Sequence, residues 1–201
     1  MPSFDPKQLT ERENYKLLVG SIIPRPIAFV TTKSATGVIN GAPFSYFNIV
    51  SSNPPMLSLS IQRRQGELKH TVSYILSEKE FVVHIVDEDN VKAINKTAAT
   101  LPDDVSEIEL AELTLIDSEN IAVPGIQEAR IRLECRLVEA IHLPKESPNV
   151  DLIIGEIVTY HIADDVYEDT YIIASKLKAV SRLAGQSYST LGNQFELERP
   201  E

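Results

Sequence analysis

The chain has 201 residues, a formal net charge of -10 and 43% hydrophobic residues. That is enough apolar material for one sizeable core in a single domain spanning 1–201, and too much for a disordered chain. The acidic balance argues against a surface that neutralises nucleic-acid phosphates or rests on an anionic membrane. No run reaches the roughly 18 to 20 apolar residues of a spanning helix, and the start of the chain lacks the basic-then-apolar pattern of a secretion signal. Cys135 is the only cysteine, so neither an intrachain disulfide nor a thiolate metal cluster is available. A soluble, cytoplasmic protein is expected.

In chain order, Ile27-Ala28-Phe29-Val30-Thr31-Thr32 is a strand-forming run entered through Pro24-Arg25-Pro26. Lys33-Ser34-Ala35-Thr36-Gly37 turns, and Val38-Ile39-Asn40 returns, as in a hairpin with a longer loop. After Pro54-Pro55, Leu57, Leu59 and Ile61 alternate with Ser58 and Ser60, the period of a half-buried strand. A short helix is predicted from Thr71, its N-cap, with Val72, Ile75 and Leu76 on one face. Phe81-Val82-Val83-His84-Ile85-Val86 reads as a strand. Residues 87–99 read as a second helix with Asp or Asn caps, apolar at Val91, Ile94 and Ala98, and stopped by Leu101-Pro102.

Residues 107–125 admit two readings, a short helix and a strand or a loop with anchoring leucines. Residues 131–143 alternate again: Ile131, Leu133, Cys135 and Leu137 inward, Arg130, Arg132, Glu134 and Arg136 outward. Residues 151–163 are a further strand rich in β-branched side chains. Many strands with short helices between them predict a mainly β fold, a closed antiparallel barrel rather than a doubly wound sheet.

No Gly-x-Gly-x-x-Gly, P-loop or Gly-x-Ser-x-Gly elbow is present. The four histidines (His70, His84, His142, His161) have no metalloprotease spacing, and His84 and His161 inside strands read as hydrogen-bonded structural imidazoles. Cys135 reads as a small core residue. Residues 37–61 contain no acidic, basic or histidine side chain, yet Asn and Ser interrupt them too often for a plain core segment. Hydroxyls, amides and aromatics without charge suit a planar ring with hydrogen-bonding edges; a loop packed on its own satisfied polar groups is the alternative. Just beyond lie Arg63, Arg64, Lys69 and Thr71, cations beside a predicted helix start, which suit a phosphate. A solvated loop explains them equally well.

These segments carry a resemblance. Arg25-Pro26-Ile27-Ala28-Phe29-Val30-Thr31-Thr32, Ala42-Pro43-Phe44-Ser45-Tyr46-Phe47-Asn48, Ser51-Ser52-Asn53-Pro54-Pro55, Lys69-His70-Thr71, Gly155-Glu156-Ile157-Val158 and Arg182-Leu183-Ala184-Gly185-Gln186-Ser187-Tyr188 follow one another in the order and spacing of the flavin reductase-like, FMN-binding split-barrel family. Within it the chain is most similar to the branch containing the flavin reductase component of nitrilotriacetate monooxygenase.

The resemblance implies a Greek-key split barrel with short flanking helices that dimerises, binds FMN near the subunit interface and takes hydride from NAD(P)H, with a monooxygenase as possible partner. It implies that Thr31 and Thr32 lie beside the ring or its ribityl chain. Phe47, Asn48, Ser51 and Ser52 would contact the isoalloxazine and ribityl hydroxyls, Arg63, Lys69 and Thr71 would hold the phosphate, and Arg182 and Tyr188 would close over the site. It implies no catalytic side chain and no metal. Many relatives read Lys-Asp-Thr where this chain has Lys69-His70-Thr71, and many have Asp-His where it has Asn149 and Val150. An FMN protein with a donor other than nicotinamide, and a non-catalytic ligand-binding barrel, therefore stand as alternatives.

Overall fold

The computed structural model describes residues 1–98 and 106–200. Seven strands form one sheet: β1 (Ala28–Lys33), β2 (Ile39–Phe44), β3 (Phe47–Ser52), β4 (Pro55–Gln62), β5 (Glu80–Ile85), β6 (Ile131–Leu143) and β7 (Val150–Ile162). Their order is β2-β1-β5-β6-β7-β4-β3, with every neighbouring pair antiparallel. The two outermost strands, β2 and β3, are consecutive in the chain, so the barrel is split beside Ser45 and Tyr46. There the Tyr46 carbonyl accepts from the Ser60 N–H (2.8 Å).

The alternation predicted for residues 57–61 is present, with Leu57, Leu59 and Ile61 buried in the barrel beside Phe81, Val83 and Ile153. Gly155 is required here: a Cβ at that position would sit 2.3 Å from the Phe81 ring. Gly155→Ala is expected to destabilise the fold by about 1–3 kcal/mol through overpacking, read as a lower urea midpoint with an unchanged slope. A second core lies outside the sheet, where Phe29, Ile27 and Ile126 meet Ile94 and Ile108. Covering both faces of β1 explains its uninterrupted burial.

Helix α1 (Glu11–Ser21) was not anticipated, although its signal is plain. Thr10 and Glu13 form a reciprocal capping box, with the Glu13 N–H donating to Thr10 Oγ1 (3.3 Å) and the Thr10 N–H to Glu13 Oε2 (2.8 Å). Helix α2 (His70–Glu78) buries Val72 and Ile75 as predicted. Its N-cap is Lys69, not Thr71. Thr71 lies inside the first turn, where its hydroxyl accepts from Asn40 Nδ2 (3.0 Å).

Helix α3 (Val91–Lys96) is shorter than the predicted 87–99. Asp87 and Asn90 exchange hydrogen bonds before it: Asp87 Oδ1 accepts from the N–H groups of Asp89 and Asn90, and the Asp87 N–H donates to Asn90 Oδ1, each 3.0 Å. That turn consumes the residues expected to open the helix. Ala99 and the stop at Leu101-Pro102 lie outside the described residues. In 107–125 the helix-and-strand reading holds, with a short helix at Glu107–Leu110 and Leu115–Ile116 paired to Gly125–Ile126.

His84 is a buried structural imidazole. Its Nδ1–H donates to the Phe29 carbonyl (2.9 Å) and its Nε2 accepts from the Ile126 N–H (3.0 Å). Burial pushes its pKa down to about 3, so it is neutral. Glu134, expected to face outward to solvent, is fully buried. It does leave the barrel interior, but the segment 117–123 covers it. Its carboxylate accepts from the N–H groups of Glu119 (2.7 Å) and Asn120 (2.8 Å) and pairs with His161 Nε2 (2.6 Å).

Candidate functional site

The uncharged stretch 37–61 contains β2, β3 and β4, so it supplies both edges of the split in the barrel. A chain of adjoining cavities follows that split. The first, about 440 Å³, lies between β2 and the start of α2, lined by Asn40, Pro43, Phe44, Arg64, Lys69 and Thr71, with Glu67 and Glu107 on its rim. A narrower one of about 180 Å³ shares Pro43 and Phe44 with it and is walled by Ile27, Ser45, Asn95, Arg182 and Tyr188. Ser45, Tyr46, Lys69 and Arg182 line a connecting hollow that leads towards a groove between α1 and β3, where Phe47 and Asn48 lie.

At the first end, Asn40 Nδ2 donates to both Thr71 Oγ1 (3.0 Å) and Thr32 Oγ1 (3.3 Å). One amide thus fixes a hydroxyl from β1 and a hydroxyl from α2, leaving each hydroxyl proton free to donate. The Lys69 ammonium sits over the Phe44 ring, 5.5 Å from its centroid. Although the residue as a whole is exposed, desolvation of its ammonium, with the nearby Arg64 charge, holds its pKa below the ordinary lysine value. A cation held in that way is stabilised by an anion.

The facing wall is the small sheet in which Arg25 pairs with Arg182 and Arg182 with Tyr188. The Arg182 guanidinium stacks 4.3 Å from the Tyr188 ring centroid and donates to the Gly185 carbonyl (2.6 Å). The Tyr188 hydroxyl donates to Asn95 Oδ1 (2.7 Å). Arg25 ties this wall to α1. Its Nη1 donates to the carbonyls of Val19 (2.7 Å) and Ile22, and its Nη2 to the Leu183 carbonyl (2.9 Å). Tyr46 stays a neutral phenol, its pKa raised by burial and by Tyr15 against the opposing Arg25 charge.

Thr32, Lys69, Thr71, Arg182 and Tyr188 thus meet around the cleft, and Phe47 and Asn48 line the adjoining groove. Four expected residues are placed elsewhere in the single chain. Thr31 points to the opposite face of β1, its hydroxyl donating to the Pro124 carbonyl (2.7 Å). Arg63 is engaged with the buried Asp151 carboxylate, through Nη2 (2.7 Å) and Nε (3.0 Å). Ser51 and Ser52 sit at the tip of the β3–β4 hairpin, and the Ser51 hydroxyl accepts from the Asn53 N–H (3.1 Å). Arg64, rather than Arg63, lines the cavity beside Lys69. The alternation of β4 carries that distinction, because Arg63 continues the inward phase of Leu59 and Ile61 and Arg64 does not. Asn40, Ser45, Asn95 and Arg25 were missed as site residues; Asn40 and Ser45 belong to the uncharged stretch that pointed here.

An antiparallel split barrel whose uncharged edges open onto a cation-ended cleft defines the class of protein: a small-molecule-binding barrel with neutral walls and an anion seat. Comparison with known proteins names the family. Residues 19–181 match the family model for the flavin reductase like domain, and the chain belongs to that family. It is similar along nearly its whole length to the crystal structure of nitrilotriacetate monooxygenase component B from Bacillus cereus, with 57% identity, a TM-score of 0.96 and 98% of each chain covered. It is 46% identical over 201 residues to the uncharacterised protein YwrF of Bacillus subtilis, covering 98% of each. The crystal structure of the Pseudomonas fluorescens 2-nitrobenzoate 2-nitroreductase NbaA superposes with a TM-score of 0.90 at 28% identity, over 99% of this chain and 96% of that one. The fold is the mainly β, antiparallel split barrel that the resemblance implied.

Proposed function

We propose that the cleft holds FMN and that the protein is an NAD(P)H-dependent reductase working through that flavin. One observation carries this reading: a single cleft joins a cationic, hydroxyl-bearing end to an uncharged aromatic one. Lys69 and Arg64, with Thr71 fixed by Asn40, would hold the phosphate. The walls from Phe44, Ser45, Tyr46, Phe47 and Asn48 would take the ring, with Arg182 and Tyr188 facing them. The bound flavin supplies the hydride chemistry. The chain's own part is to position the ring, exclude water and offer neutral donors at its pyrimidine edge, where a carboxylate would oppose the negative charge that develops on reduction. In keeping with this, no acidic side chain lines the cleft between residues 43 and 48.

A homodimer, a cytoplasmic setting and a monooxygenase partner for the reduced flavin complete the proposal. The component-B relative supports the partner, and the described residues contain no helix long and apolar enough to cross a membrane. The test is the visible spectrum of freshly purified protein, followed by NADH and then NADPH without oxygen. Oxidised-flavin bands that bleach within seconds support the reductase. A yellow protein that neither nucleotide bleaches favours the second reading, a flavoprotein with another donor. Asn149 and Val150 favour that reading, standing where many nicotinamide-using relatives carry Asp-His. Here the Asn149 carbonyl accepts from the Arg63 N–H (2.8 Å) at the barrel end. Colourless protein with no affinity for added FMN overturns both.

A further inference from the structure

The C-terminal segment, residues 190–200, leaves the small Arg182–Tyr188 sheet and extends with every residue exposed. It is not uniformly polar. Phe195-Glu196-Leu197-Glu198 alternates apolar and acidic side chains, the period of a strand with one face against an apolar surface. Phe195 and Leu197 are 81% and 83% exposed, so in the single chain that face meets nothing. The same chain carries a matching uncovered strip. Strand β3 is an outer edge of the sheet, paired only with β4 among the described residues. The Ile49 N–H donates to the neighbouring Asn48 Oδ1 (2.8 Å), a local substitute for a strand partner. Ile49 is 81% exposed, and across the groove that begins at Phe47 stand the exposed Leu18 and Ile22 of α1. An unprotected edge flanked by apolar side chains invites an added strand.

We propose that residues 190–200 of one chain dock as an extra strand on a second copy of this chain, along β3, with Phe195 and Leu197 against Leu18, Ile22 and Ile49. The second copy is the occupant because one sequence holds both halves of the match. A two-fold exchange covers each strap and each strip at once, and it closes without leaving an open end. Reach is sufficient, since the extended segment spans roughly 36 Å at about 3.3 Å per residue. The docked strand would present Glu196 and Glu198 outward to solvent, which keeps the assembly from growing. This interface holds whatever the cleft binds.

Two measurements on the full chain test it. Sedimentation of the native protein against the F195S/L197S variant should show a dimer whose dissociation constant rises at least tenfold on substitution. The thermal midpoint should stay unchanged below the dissociation range, because both side chains are exposed in the monomer. Independently, p-benzoylphenylalanine at position 195, irradiated and mapped by mass spectrometry, should label α1 or β3 of another chain in a product of twice the monomer mass. A native protein that sediments as a monomer, a variant that dimerises as tightly as the native chain, or labelling within the same chain would each overturn the proposal.

Discussion

Lys69→Ala is expected to weaken FMN binding by roughly 10- to 150-fold while leaving riboflavin binding almost unchanged. A hydrogen bond to a charged group contributes about 1.5–3 kcal/mol, and about 1.4 kcal/mol is a factor of ten in affinity. The ammonium is well placed for that role: it stands over the Phe44 ring, in the same cavity as Arg64 and Thr71, with its pKa held down by desolvation and by Arg64. A dianionic phosphate reverses both pressures on it, so Lys69 should be worth more bound than free. Fluorescence titration with the two flavins separates the roles of the cleft's ends. Equal loss for FMN and riboflavin would mean that Lys69 supports the wall rather than the phosphate. Arg63→Ala should behave differently, lowering stability with little selective effect on FMN, because its guanidinium is taken by Asp151.

That contrast between two adjacent arginines shows where the sequence could be read and where it could not. The uncharged run 37–61 announced a neutral wall, and it does line the split in the barrel, because composition reports directly on what a surface can face. The strand alternations at residues 57–61 and 131–137 announced burial, since a period of two leaves little choice of face. Which side chain turns into the cleft depends on register, and on partners far away in the chain. Asp151 claims Arg63 from 88 positions away. Pro124 accepts from Thr31 across 93. Neither pairing leaves a local trace. Glu134 is a further case: its outward phase was right, but the covering segment 117–123 has no pattern that predicts where it lies. The capping box of α1 was different, a local signal in Thr10 and Glu13 available to inspection from the start.

Glu134→Ala is expected to destabilise the protein by about 3–5 kcal/mol, the largest effect of any single change outside the cleft. The carboxylate is the shared acceptor for the N–H groups of Glu119 and Asn120 and for His161 Nε2. Removing it strands three donors, each of which costs about 1–3 kcal/mol when water cannot replace the lost partner. The exposure of Glu119 and Asn120 keeps the sum below its maximum. The same segment lays Ile121 and Val123 over Val82, so its release also uncovers apolar surface on the outer face of β5. Hydrogen exchange should therefore accelerate first at residues 118–123 and along β5, before the rest of the barrel.

Acid should reproduce the substitution. Burial pushes the Glu134 pKa up, but the hydrogen bonds from His161, Glu119 and Asn120 outweigh it and hold the folded value below the ordinary glutamate pKa of 4.5. A folded pKa below the unfolded one means that the unfolded chain binds the proton first. The contribution is thus complete above 4.5 and is lost as pH falls through the folded value. Stability measured by urea unfolding should fall more steeply with acid below that point in the native chain than in Glu134→Gln, which keeps an acceptor oxygen but cannot titrate. Parallel curves for the two proteins would show that the segment is held by its apolar contacts and that the buried carboxylate contributes nothing to the acid limit of the fold.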